Sequence, residues 1–298
     1  MKINSSHLFI VAAITFFVIS CEKEVKLKED QINPRIVVNG IFEASDTLRI
    51  HLSESRNVLF NNGGDLPNLT SASASLLSEN DEVLGTFSHD SFGTYSLIGF
   101  YPVAGKEYKL IVNSPGLEEV TSQNLIPEII SIASIDTIRQ SENMNFKITI
   151  NDNPDEVNYY AIIIESRVTE IFPSPIPNVN DTLSYRFRYA CSKDVIIEGA
   201  SEDIDGSKCG QSLLFRDENF NGSSYTVDVE SFIGDSPDTV IISLQSISEE
   251  LFKYNTSLQR YQETNGNPFG EPVQVYSNIE NGFGIFAGYS VYADTIVF

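Results

Sequence analysis

Apolar and polar residues alternate along most of the chain. Residues 47–53 (TLRIHLS) and 145–151 (NFKITIN) show the period-two pattern of half-buried strands. Short segments of this kind recur at 35–42, 72–77, 82–87, 94–98, 107–113, 183–189, 195–197, 213–215, 224–230 and 239–246, separated by Gly, Pro, Asn and Asp clusters. Residues 159–168 instead form an almost unbroken apolar run, as expected of a strand covered on both faces. Many short strands at this spacing predict a mainly β protein. The Pro/Gly turn at Pro102 and Gly105, entering the alternating strand 107–113, is similar to the late hairpin of immunoglobulin-like and fibronectin-type modules. Residues 34–126 are therefore expected to form an Ig-like β-sandwich. Residues 127–298 are expected to form a second β-rich, sandwich-like domain. Residues 56–69 and 171–180 read as loops, and 283–298 as one or two terminal strands.

One segment breaks the period. Leu251, Tyr254, Leu258 and Tyr261 fall at helical spacing, Glu249 and Glu250 suit a first turn, and Gly266 follows as a stop. A helix is expected over about 248–264, with Ser246 and Ser248 as candidate N-caps. Its Leu/Tyr stripe reads as core packing.

The first 20 residues belong to another class. Lys2 precedes an apolar run at 8–19 (LFIVAAITFFVI), too short to span a bilayer as a helix. Ser20 and Cys21 close it, with Val18 three residues before the cysteine, and this resembles a bacterial lipobox. The expectation is a signal peptide over 1–20 and a diacylglycerol on Cys21, anchoring the chain to a membrane through lipid. An ordinary signal peptide with a chance cysteine, or a core helix, are the plainer readings. Residues 21–33 form an acidic tether carrying Glu22, Glu24, Glu29 and Asp30, similar to the surface-export signal of Bacteroidetes lipoproteins. The expected location is the outer membrane, exposed at the cell surface.

Charge narrows the partners. The formal net charge of −22 becomes −23 when Lys2 leaves with the signal. Such a surface repels phosphate backbones, so no nucleic-acid partner is expected.

Removing Cys21 from the three cysteines leaves Cys191 and Cys209. An even remainder in an exported chain predicts a disulfide. Two reduced buried thiols or a metal pair are the alternatives, the latter weakened by the absence of CxxC spacing and of nearby histidine. Asp217, Asn219 and Asn221, with Gly222 next and Asp228 at the twelfth position, nearly match a calcium loop. Against this, Asp is shorter than the usual Glu at that position, and the flanks read as strands. A polar turn explains the same residues, so calcium stays open and no other cofactor is expected. No G-x-S-x-G or H-E-x-x-H motif occurs, and only His51 and His89 lie beyond the signal. With no catalytic constellation to name, the chain is expected to be non-enzymatic.

Three motifs carry a family resemblance. Residues 34–40 (PRIVVNG) follow the acidic lipobox, 215–222 (FRDENFNG) lie mid-chain, and 248–254 (SEELFKY), 267–272 (NPFGEP) and 277–286 (SNIENGFGIF) close the chain. In this order they resemble the Bacteroidetes lipoproteins grouped as domain of unknown function 4249. Relatives of that family are often encoded beside TonB-dependent outer-membrane transporters. The resemblance implies an accessory lipoprotein acting with such a transporter in nutrient uptake. A surface glycan- or ligand-binding module is the alternative. The family supplies no catalytic residues.

Overall fold

A computed structural model describes residues 33–56, 67–154, 156–173, 180–199, 201–264, 271 and 273–298. The expected signal, Cys21, most of the expected tether and the greater part of the expected loop at 56–69 lie outside the described residues. Residues 34–298 form one compact unit.

The first part of the chain supplies β1 (Ile36–Glu43), β2 (Leu48–Glu54), β3 (Ser73–Ser78), β4 (Val83–Thr86), β5 (Ser88–Ser91), β6 (Thr94–Leu97), β7 (Glu107–Asn113) and β8 (Val120–Leu125). The next part supplies β9 (Ile132–Gln140), β10 (Asn143–Asn151), β11 (Tyr159–Pro173), β12 (Asn180–Arg188), β13 (Ala190–Ser192), β14 (Ser201–Glu202), β15 (Lys208–Gly210), β16 (Leu213–Arg216), β17 (Ser224–Phe232) and β18 (Thr239–Ile247). A helix, α1 (Glu249–Thr264), and one long strand, β19 (Phe283–Val297), complete it. Among the described residues the protein is mainly β and sandwich-like, with one helix near the C-terminal end.

Three sheets are formed among the described residues. The longest runs β12-β11-β18-β19-β1-β2-β6-β5, with β16 beside β11. A four-stranded sheet, β4-β3-β7-β8, covers one half of it, and a six-stranded sheet, β14-β15-β13-β17-β10-β9, covers the other. Alternation sets the facing residues. In β7, Tyr108, Leu110 and Val112 are buried, and in β10, Met144, Phe146, Ile148 and Ile150 are. Two cores result. One joins residues 36–126 with Ile279 and Phe286, and the other lies within 132–244. Ile126 packs in the first core and Ile130 against the second, while the C-terminal residues Ile279 and Phe286 return to the first.

The join is β19. Its first half pairs in parallel with β1, from Val37↔Phe283 to Glu43↔Tyr289. Its second half pairs antiparallel with β18, from Ile247↔Tyr289 to Thr239↔Val297. The 277–286 motif is the fitting for this strand. The Asn278 amide donates to the Phe286 carbonyl at 2.7 Å and accepts from the Phe286 N–H at 2.9 Å, standing in for a neighbouring strand. Gly284 has φ +106°, and a Cβ there would collide with the Val38 carbonyl. Phe286 is fully buried, 4.7 Å from the Phe42 ring, and its burial alone contributes about 2–3 kcal/mol.

Helix α1 packs on the outer face of the long sheet, against Ala161, Leu214, Ile247, Ile285 and Ala287. This explains the unbroken apolar run. In β11, Tyr160, Ile162 and Ile164 enter the core while Ala161 meets the helix. Ser248 is the N-cap, accepting from the Leu251 N–H at 3.3 Å, whereas the Ser246 hydroxyl accepts from Ile130. The buried helix residues are Leu251, Phe252 and Thr256; of the expected stripe, Leu251 is buried, Tyr254 packs half-buried against the same cluster, Leu258 is half-buried and Tyr261 is exposed. Phe252 packs at a tilt on Tyr159, 5.0 Å between ring centres. Strand also replaces the start of the expected 171–180 loop, because β11 continues to Pro173 in register with β12.

Candidate functional site

Cys191 and Cys209 sit opposite each other on β13 and β15 and form a disulfide with a Cα separation of 4.1 Å. The bond pins the 192–208 excursion to the outer face of the six-stranded sheet. Within it, the Asp203 N–H donates to the Ser207 carbonyl at 2.8 Å and the Gly206 N–H returns to Asp203 at 2.9 Å. This turn walls a groove of about 850 Å³ whose floor is the outward face of β9, β10 and β17.

The groove mixes charge with exposed aliphatic groups. Ile138 on β9 and Ile204 at the turn stand in solvent. Lys147 pairs with Asp228 across β10 and β17 at 3.4 Å, and Lys193 pairs with Asp205 at 2.9 Å. The Ser207 hydroxyl and then Lys193 hold the Asp205 carboxyl well below its usual range. Asp136, Asp203 and Glu230 add three more carboxylates to the lining, so the groove is net acidic. It is suited to holding a ligand or a partner segment.

The structure separates the residues of the calcium-like pattern. Asp228 points outward from β17, four residues beyond Ser224, which is about 13 Å of strand past the turn. Asn219 and Asn221 are exposed in that turn. Asp217 is fully buried and bound elsewhere, with Oδ2 accepting the Asn158 N–H at 2.9 Å and the Asn158 side-chain amide at 3.2 Å. An EF-hand loop returns its twelfth residue by entering a helix; here the chain enters an extended strand and carries Asp228 away. The four side chains do not meet at one point. Among the described residues no group of three or more His, Cys, Asp or Glu could hold a metal.

What Asp217 does join is a buried carboxylate pair. Asp152 accepts the Gly222 N–H at 2.8 Å and the Tyr160 hydroxyl. Burial raises the Asp217 pKa, the two Asn158 hydrogen bonds oppose that rise, and the neighbouring Asp152 carboxylate adds to it. Asp217 Oδ1 is buried with no hydrogen-bond partner. Burial and the hydrogen bond to Asp152 likewise push the Tyr160 phenol far up. The 215–222 motif therefore closes a turn beneath Phe220, stacked 4.6 Å from Tyr225.

A further concavity, about 410 Å³, lies in this half. Tyr185 and Phe187 on β12, Val168 on β11 and Phe232 at the end of β17 line it. Sequence reasoning named none of these residues as a site. Tyr185 and Phe187 do alternate on one strand, but Phe232 comes from a distant strand. His51 and His89 lie on β2 and β5, where the His89 ring packs 5.0 Å from Tyr95.

Fold and site together define a mainly β, disulfide-bearing double sandwich with a grooved outer face. The family described as "Domain of unknown function (DUF4249)" matches residues 22–295, and the chain belongs to it. No curated protein matches the chain. Among solved structures, a two-domain fibronectin type-III segment of chicken tenascin is similar at 11% identity, covering 90% of this chain and 100% of its own, with a TM-score of 0.22. The chitinase ChiA74 from Bacillus thuringiensis is similar at 10% identity, covering 72% and 29%, with a TM-score of 0.20. The collagen adhesin of S. aureus follows at 7% identity, covering 89% and 94%, with a TM-score of 0.19.

Proposed function

We propose that the protein is a non-enzymatic lipoprotein of the outer membrane, held by acyl chains on Cys21 and exposed at the cell surface. There it acts as an accessory to a TonB-dependent transporter in nutrient uptake. The observation that carries this reading is the order lipobox, acidic tether, folded body, with the body beginning at Pro34. Several acyl chains at about 0.8 kcal/mol per buried CH₂ hold a folded body at a membrane almost permanently. The groove walled by the disulfide-pinned turn offers a place for a ligand or a transporter segment.

The test is a mild-detergent pull-down of the tagged, lipidated protein from its native outer membrane, read by mass spectrometry. A TonB-dependent transporter in stoichiometric amount is expected. The C21S variant should lose acyl labelling and leave the membrane fraction. Recovery without any membrane-protein partner would overturn the accessory role, and an unlabelled Cys21 would overturn the anchor.

A further inference from the structure

The hairpin of β11 and β12 runs past the core of its sandwich. Its strands stay paired from Glu165↔Arg188 to Pro173↔Asn180. Its inner face meets the end of β17 and the residues just after it: the Ser166 hydroxyl donates to the Ile233 carbonyl at 2.7 Å, and Phe187 packs on Phe232. Tyr185 and Phe187, two apart on β12, point the same way. Their rings stack nearly parallel, with centroids 6.4 Å apart at an interplanar angle of 20°, and Tyr185, the more exposed of the two, supplies the flat surface. Phe232 stands edge-on to Phe187 at 5.2 Å and 86°, closing one end. Tyr185 and Phe232 each keep 37% of their surface in solvent, a large share for aromatic rings packed together. Around this floor stand three exposed carboxylates, Glu142, Glu170 and Asp235.

We propose that this cleft is a carbohydrate subsite for a neutral, hexose-based glycan. A pyranose ring has an apolar C–H face and a rim of hydroxyl donors. The first requires a flat aromatic surface and the second requires acceptors at its edge. The cleft supplies both, and its volume lies in the range that holds a small ligand. The carboxylate rim in a strongly acidic protein disfavours sulfated or uronic glycans. An extended peptide is the other class with affinity for aromatic clefts. It would pair along the open edge of β12 rather than lie on the ring face, and a basic one would bind less tightly as salt rises. The subsite goes beyond the transporter reading and does not depend on it: either can hold without the other.

The experiment is a glycan array followed by calorimetry on the full-length lipidated protein in detergent, at low and high salt. The expected result is binding of neutral glycans that is insensitive to salt. It should weaken about tenfold in Y185A and in F232A, and return in Y185W. Y101A, an exposed aromatic in the other sandwich, should bind as the wild type does. Circular dichroism and thermal melting establish that each variant is folded. A clean array would overturn the proposal, as would affinity unchanged in both cleft variants. Salt-sensitive capture of a basic peptide at this face in place of glycan would also overturn it.

Discussion

At the scale of single residues, Asp217 and Glu165 are the buried acids whose environments act in opposite directions. Asp217 takes up a proton more readily folded than unfolded, because burial and Asp152 penalise its charge. The stability it contributes is full below the ordinary carboxylate range, near pH 4, and is lost as pH rises through its raised native value. For Glu165, burial also pushes upward, but the hydrogen bonds and charges of Arg167 and Arg188, each at 2.8 Å, outweigh it and hold the carboxyl low. Its contribution is present at neutral pH and is lost as pH falls. The variant D217N keeps an acceptor for Asn158 and places an amide donor beside Asp152. It should melt higher than the wild type at pH 8, with a flatter pH profile above pH 4. D217A should cost about 1–3 kcal/mol, since the Asn158 N–H loses its acceptor. Thermal melts from pH 4 to 8 read both, and an unchanged slope in D217N would remove Asp217 from the pH response.

At the scale of elements, the disulfide and the excursion it pins belong together. β13, β14 and β15 are only three, two and three residues long, too short to hold the 203–207 turn by their own hydrogen bonds. Closing a loop of sequence separation 18 contributes about 3 kcal/mol on the chain-entropy view. Replacing both cysteines with alanine should lower stability by that amount. The loss of amide protection should centre on residues 192–210, with β10 and β17 still protected in hydrogen exchange. Loss of protection throughout both strands would show that the bond holds the whole sheet. The helix gives a different lesson. Its existence and cap were legible in Ser248, Glu249 and Glu250. Its buried face was not, because Phe252 and Thr256 are chosen by Tyr159 and by the close approach of Gly199, whose added Cβ would lie 3.1 Å from the Thr256 methyl.

At the scale of the whole molecule, one sheet passes through both sandwiches, so the halves are not interchangeable with separate beads on a chain. The first core includes Phe286 and Ile279, and β1 has β19 as its parallel partner. The Asn124 side chain, almost fully buried, donates to Glu250 of α1 at 2.6 Å and accepts the Gly288 N–H at 2.7 Å, tying the same seam again. A fragment of residues 34–126 should therefore fail to fold alone, exposing one flank of β1 and the bed of Phe286. Residues 34–298 should unfold in one cooperative transition. Two separate calorimetric transitions, or a folded 34–126 fragment, would count against this coupling.

By itself the sequence determined what local chemistry can determine. It marked the strands through their alternation and the helix through its cap, and it raised the expectation of a disulfide between Cys191 and Cys209. It also revealed the family, through motifs that turn out to be structural fittings: Asn278, Gly284 and Phe286 seat a strand, and Asp217 and Gly222 close a turn. Only the tertiary structure decided which strands adjoin. A parallel pair such as β1 and β19 is joined by nearly the whole chain and leaves no local signature in either segment. For the same reason it alone decided that Asp228 parts from Asp217 and joins the groove, and that Phe232 meets Tyr185 and Phe187. Those encounters depend on sheet order and register, which pack residues distant in sequence against one another.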